Sequence, residues 1–565
     1  EQSRGIKNSS KWWFLPMLLL LILVNYFGSV FHNRIDLTND KRYTLTPQVI
    51  KMLQGLDEEV RIDLFLEGEM QKDFKKLAGT VDDLLLEFRE IAGGKLSYRF
   101  ISAQQEMEGT GKTYADTLSG LGITPINLTA QVKAGQQSQY IFPVALLHYK
   151  DRIMPVTLVE TSKSQISEND LNNAEAQLEY KFAYALQKLS QPLKPLIAYS
   201  SGNGEPRGAE TYDLMTRLEN DYELFTLDIN TQPVIPDTFK LLIIVKPKIP
   251  FTEIAKMRID QYVMRGGKVI WLIDRLDAEM DSLKIKNQVI AYDRDLNLND
   301  LLFKYGVRIN PDLLMDLQCD YLPMDVNGDG QFEFLQWNYF PLFTPVSDHV
   351  ISKNLSLVAG KFVNTMDTVK AEGVKKIVLL GSSSHSRSIS APALISGEEN
   401  RNAPQDASFN KQGLIAGLLL EGKFTSLYAN RMTKALLDTF ASYGNPYQAS
   451  GSANNKMIVI ADGDIALNSM SQGQPLPMGM NPYTVGSQRE FSFANGQFIE
   501  NSIEYMVNSS GLIDAKSKDF VLRLLDKKKT EEDRMKWQLI NIVLPVLLVI
   551  LFAVIYQWWR KRKYG

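Results

Sequence analysis

A single cysteine, Cys319, stands in 565 residues, so no disulfide can close within the chain and a cysteine-built zinc site is excluded. Histidine is almost as scarce. His32, His148, His349 and His385 lie far apart, with no HExxH or His-x-His pair, which argues against a histidine-built metal centre. Neither sign of charge dominates: 62 basic side chains face 65 acidic ones, a net charge of −3. Nucleic-acid binding needs concentrated positive charge, so nucleic acid is not an expected partner. No internal repeat is evident either, which sets solenoids and propellers aside.

Two long uncharged runs frame the chain. Residues 12–31 and 538–559 are each about twenty residues long and carry no charge, and at ~1.5 Å per residue such a helix covers the ~30 Å hydrocarbon layer. Paired tryptophans mark the outer ends, Trp12–Trp13 and Trp558–Trp559, as interfacial belts do. The first run is long for a signal peptide and lacks a small-residue cleavage site. Asn25, Asn541, Pro16 and Pro545 are candidates for setting how the helices pack or dock in the bilayer. Basic residues flank the first run evenly. Lys527, Lys528, Lys529, Arg534 and Lys536 precede the second, but Arg560–Lys561–Arg562–Lys563 abut it and carry more weight, which points to both termini in the cytoplasm.

Between the runs the pattern alternates. Residues 59–68 and 96–102 read as strands around a helical segment at 74–93, a small βαβ unit, and 140–161 reads as a hairpin about Tyr149-Lys150-Asp151. A long helix follows at 169–189. Short apolar strands at 195–201, 222–229, 240–247 and 268–274, with helices between, predict a parallel sheet covered on both faces; the pattern resumes at 375–383 and 456–464. Residues 397–413 read as a long insertion and 466–490 as an exposed loop.

Several stretches imitate known chemistry. Gly111-Lys112-Thr113 resembles the end of a phosphate-binding loop, and LSGLG (118–122) resembles a transporter-ATPase signature. The loop needs its first glycine at 106, where Glu106 would oppose a phosphate, so the stretch is expected to be a flexible surface loop with no convincing helix after it. LLGSSSHSRS (379–388) has His385 where the nucleophile elbow needs glycine. Asp325, Asn327 and Asp329 sit at calcium-loop positions, but Gln336 replaces the closing glutamate, so a tight hairpin turn is expected and no metal. Asp274, Asp462 and Asp464 follow strands, and with Asn203 and Glu205 they are candidates for one strand-end ligand crevice. Helix capping and turn formation explain the same residue types.

The stretches RYTLTP (42–47), SGNGEP (201–206), MRGGKVIWLID (264–274), QWNYFP (336–341), GLIAGLLLEGKFTSLYANR (413–431), IVIADGDIA (458–466) and LRLLDKKKT (522–530) resemble, in order, the gliding-motility-associated ABC-transporter substrate-binding family of Bacteroidota. That family sits in a wider group of auxiliary ABC-transporter proteins, which often carries Gly-His-Gly-Glu where this chain has Gly202-Asn203-Gly204-Glu205. The resemblance implies a bacterial inner-membrane protein with a periplasmic body, an ABC permease partner and a separate cytoplasmic ATPase, with no cofactor. The expected layout is α/β: a cytoplasmic N-terminus (1–11), a transmembrane helix (12–31), a small thioredoxin-like βαβ domain (32–165) and a connecting helix (166–194). An amidotransferase-like parallel-sheet domain (195–512), a juxtamembrane segment (513–537), a second transmembrane helix (538–559) and a basic cytoplasmic tail (560–565) complete it. A non-catalytic transporter subunit is the leading expectation. Its rivals are a periplasmic carbohydrate-binding protein or hydrolase using the strand-end acids, and a mechanical scaffold to an envelope partner.

Overall fold

The computed structural model describes residues 14–30, 44–67, 72–107, 111–123, 125–132, 135–159, 168–191, 193–286, 288–325, 330–353, 355–397, 406–508, 511–517 and 533–564. Two compact units divide the chain, Glu1–Lys518 and Asp519–Gly565.

Within the first unit, the small domain is built on four strands: β1 (Val60–Leu64), β2 (Leu96–Phe100), β3 (Val144–Tyr149) and β4 (Arg152–Thr157). Their order is β2-β1-β3-β4, with β1 and β2 parallel and the other pairs antiparallel. The helix Lys72–Ile91 joins β1 to β2 and buries Leu77, Val81, Leu85 and Phe88 at helical spacing against the sheet. Lys150 turns the β3–β4 hairpin in the left-handed region (φ 54°). The edge strand β4 carries Pro155, which has no N–H to offer an incoming strand. The helix Glu168–Ser190 packs Leu178, Phe182 and Leu186 into the same core.

That core is completed from the far end of the unit. Leu512 and Ala515, in the turn Leu512–Ser517, join it, and Gln48 Nε2 donates to Asp514 Oδ2 at 3.4 Å. The chain therefore enters and leaves the small domain side by side. The stretch around Gly111-Lys112-Thr113 departs from expectation. Thr113 Oγ1 accepts from Asp116 N and Asp116 Oδ2 from Thr113 N, a reciprocal cap that starts a helix at Tyr114–Gly120. The residues that imitate a signature loop close that helix.

The larger domain holds a twelve-stranded sheet. Its main path comprises β5 (Leu196–Ser201), β6 (Glu223–Asp228), β7 (Leu241–Val245), β8 (Lys268–Leu272), β9 (Cys319–Met324), β10 (Glu333–Pro345), β11 (Val374–Gly381), β12 (Ile415–Gly422) and β13 (Asn455–Ile460). They run in the order β9-β10-β11-β12-β13-β8-β7-β5-β6. The expected parallel sheet forms only half of this. β6, β5, β7, β8 and β13 are parallel; β12, β11, β10 and β9 continue antiparallel. Alternation along β7 explains the two layers of helices. Leu241, Ile243 and Val245 pack under the helices Tyr212–Asp221 and Asn495–Val507, while Leu242 and Ile244 pack under Glu253–Met264 and Asn299–Tyr305. The segment 466–490 is not simply exposed: Met478, Asn481 and Thr484 are buried, and Asn481 Nδ2 donates to Asp320 Oδ2 at 2.8 Å.

The second unit is the helix Arg534–Tyr564, 31 residues with Pro545 and Asn541 inside. Among the described residues it alone is long and apolar enough to cross a membrane, and none of its apolar stretch is buried in protein. The first apolar run is described as helix over Phe14–Val30, 17 residues, with Asn25 exposed on it. Those residues cover about 26 Å against the ~30 Å layer, so among the described residues the two-span frame keeps one spanning candidate. Trp12 and Trp13 lie outside the described residues.

Candidate functional site

In an open sheet of parallel strands, ligands meet the chain at the carboxyl ends of the strands. Here those ends carry Lys246 after β7, Asp274 after β8, and Asp462 and Asp464 after β13. Register brings them together, since Leu272 of β8 lies opposite both Val245 and Ile460. The carboxylates of Asp274, Asp462 and Asp464 each place one oxygen within 4.8 Å of the others.

A cation already sits among them. Lys246 Nζ donates to Asp464 Oδ2 at 2.7 Å, lies 3.2 Å from Asp274 Oδ2, and reaches Glu279 Oε2 at 3.4 Å. Lys246 adopts φ 44°, a left-handed conformation rare for a side chain of this length, and this aims the ammonium inward. Gly463 makes room for the lysine stem, because a Cβ there would stand 2.5 Å from Lys246 Cβ.

Backbone amides occupy most of the remaining acceptors. Gly463 N donates to Asp274 Oδ1 at 2.5 Å, while Asp464 N and Lys361 N donate to the two oxygens of Asp462 at 2.7 and 2.9 Å. The charges sort accordingly. Burial, then the Asp464 and Asp274 charges, push Asp462 well above the usual carboxylate range. Burial raises Asp274 too, partly offset by Lys246. Asp464 feels the same burial, but Lys246 and Lys361 outweigh it and hold the carboxyl low. Lys246, despite its own burial, is kept charged by Asp464, Asp274 and Glu279. The space beside this cluster, lined by Gly360, Lys361, Asp464 and Ser469, is only about 20 Å³, room for one water. The three acids have spacing suited to a metal ion, and two of them, Asp274 and Asp464, hold the lysine ammonium instead.

Asn203 and Glu205 make their contacts elsewhere. Glu205 accepts from Ser200 Oγ at 2.6 Å and from Asn203 N at 2.8 Å, and Asn203 O accepts from Lys248 N and Ile249 N. They brace the turn after β5 against the turn after β7. Sequence reasoning misses Lys246, Glu279 and Lys361; the one available sign is a lysine directly after five apolar strand residues, LLIIV-K.

The other candidate motifs resolve locally. Ser383 Oγ donates to Asp316 Oδ1 at 2.5 Å, and Ser384 Oγ pairs with its neighbour His385 Nδ1 at 2.9 Å, so the serine bonded to the carboxylate is not the one paired with the imidazole. Asp325 Oδ2 accepts from Gly330 N at 3.0 Å in the β9–β10 connection; Asn327 and Asp329 lie outside the described residues.

Two roomier cavities lie along the seam between the small and large domains. One, of about 640 Å³, is lined by Ile123, Val144, Met478, Phe493, Arg217 and Glu500. The other, of about 330 Å³, is lined by Val156, Tyr180, Tyr184, Arg217, Glu500 and Glu504. Both share the Arg217–Glu500 ion pair at 2.8 Å.

Comparison with known proteins adds the context. No curated protein matches the chain. Among solved structures, the mmIFT52 N-terminal domain is similar at 12% identity over 55% of this chain and 97% of that one, with a TM-score of 0.32. A ThuA-like protein from Parabacteroides merdae is similar at 8% identity over 56% and 90%, with a TM-score of 0.24. Overlaps this loose carry no argument about fold or function. Residues 39–148 match a domain of unknown function. Residues 194–502, more than half of the chain, match the auxiliary family of the ABC-type uncharacterized transport system, and the chain belongs to that family.

Proposed function

We propose that the chain is a non-catalytic, membrane-anchored auxiliary subunit of an ABC transporter complex serving bacterial gliding motility. In this reading its apolar helices dock on a permease in the inner membrane, a separate cytoplasmic ATPase powers the complex, and the α/β body stands in the periplasm. Membership of a transport-system family supports the association with a transporter.

The observation that carries the non-catalytic part is the seat of Lys246. It fills the strand-end position where a sheet of this kind would hold a substrate, and only about 20 Å³ remains beside it. The small domain points the same way. Its β2-β1-β3-β4 order is that of a thioredoxin-like unit, yet the chain's one cysteine lies in β9 of the other domain, so no dithiol exchange is available. The two-pass arrangement draws support from the contact of Gln48 with Asp514, which brings residues near the two ends of the folded body together.

Co-purification tests the reading. The detergent-solubilised full chain should bring down a permease and its ATPase, and a variant lacking residues 534–563 should not. A complex that persists without that helix would overturn the docking role. A strain lacking the chain that still glides would remove the motility assignment while leaving the transporter one standing.

A further inference from the structure

We propose that the last turns of the helix Arg534–Tyr564 form a binding site for the phosphate headgroups of anionic phospholipids. The proposal rests on the membrane-anchor reading and adds a lipid preference to it. The two ends of the helix differ in how charge is arranged. At the first, Arg534 and Lys536 stand among Glu531, Glu532 and Asp533, with Lys536 Nζ 3.9 Å from Asp533, and Lys527, Lys528 and Lys529 precede them in sequence. At the other, Arg560, Lys561, Arg562 and Lys563 follow one another. Four consecutive cations next to an apolar span attract an anionic surface.

Geometry makes this more than a diffuse charge. The Arg562 guanidinium sits 5.0 Å from the centre of the Trp558 ring, and Lys563 Nζ sits 4.9 Å from that of Trp559. Each pair spans one helical turn, and the two are offset by one residue, so they occupy neighbouring faces of the helix. Both indoles are more than half exposed. Indoles settle at the depth of lipid headgroups, and a cation resting on each is held at that depth, within reach of phosphate oxygens. Arg560 and Lys561 have no ring beneath them among the described residues.

The test compares variants of equal charge. The full chain is reconstituted in phosphatidylcholine vesicles containing a minor share of phosphatidylglycerol, re-extracted, and its retained lipids are counted by mass spectrometry. Wild type should retain phosphatidylglycerol in excess of its share. R562Q/K563Q should lose that excess by roughly fivefold per charge removed, and R560Q/K561Q by clearly less. Equal losses would show diffuse attraction and overturn the built site, as would the absence of any excess in wild type. Added inorganic phosphate should leave retention unchanged; displacement by it would overturn the preference for lipid. A chain that fails to enter even pure phosphatidylcholine vesicles would instead defeat the anchor reading, which the other outcomes leave intact.

Discussion

Lys246 and Asp464 are 218 positions apart and meet at 2.7 Å, tying the carboxyl end of β7 to the first turn after β13 across the intervening β8. The ammonium thus links the carboxyl ends of three neighbouring strands. Lys246→Met should leave Asp274 and Asp464 facing each other without the ammonium between them. Removing one partner of a buried ion pair costs about 3 kcal/mol or more, and the urea midpoint of the solubilised chain, followed by tryptophan fluorescence, should fall accordingly. Adding Asp464→Asn to that variant should recover part of the loss. Equal midpoints for Lys246→Met and wild type would show that the pair contributes nothing.

Acidity should affect Asp462 in the direction opposite to an ordinary ion pair. Its carboxyl is raised in the folded state by burial and by the Asp464 and Asp274 charges, so the folded chain takes up this proton before the unfolded one does. Its contribution to stability therefore grows as pH falls from neutrality towards the ordinary aspartate value of about 4. Asp462→Ala should flatten that rise in denaturation midpoints measured against pH.

Gly463→Ala tests the fit around the lysine stem. A Cβ at this position would meet Lys246 Cβ at 2.5 Å and Lys246 Cα at 3.0 Å, neither of them a mobile side-chain end. Overpacking of this kind costs about 1–3 kcal/mol, so the variant should melt at lower temperature and lose part of the Lys246–Asp464 coupling in a double-mutant cycle.

Leu512→Ala should weaken the small domain although it lies more than 300 residues beyond that domain's last strand. Leu512 is 2% exposed, within the core that also holds Val49, Leu53 and Phe182. Leucine-to-alanine changes in cores cost about 2–5 kcal/mol, and limited proteolysis should open the segment 44–191 first. Unchanged protease resistance there would mean that the return segment is dispensable to the domain.

The strands legible in the sequence are those with a local signature. Leu241–Val245 and Lys268–Leu272 are rich in apolar residues without alternation, because both faces are covered by helices, and that composition survives without knowledge of neighbours. The direction of Val374–Gly381 is not a local property. Its apolar residues look the same in either orientation, and only its pairing with Ile415–Gly422 makes it antiparallel. Asp274, Asp462 and Asp464 can be placed at strand ends by counting, but Lys246 cannot be placed among them. A lysine before a proline reads as surface, and the left-handed backbone that turns it inward leaves no mark in the sequence. Thr113 is hidden for a different reason: the glycine and lysine before it imitate a phosphate loop, while its partner Asp116 declares an ordinary helix cap.

The contact between Gln48 and Asp514 has a mechanical consequence. The large α/β domain is an insertion within the small one, which is closed by residues from both of its flanks. Tension applied at the two ends of this body therefore meets the small domain's core first, because Val49 from one end and Leu512 from the other both lie in it. A load taken up by the large domain reaches that core through the chain connections on either side of it and through contacts such as Lys516 Nζ to Asn501 Oδ1 at 2.7 Å and the Arg217–Glu500 pair.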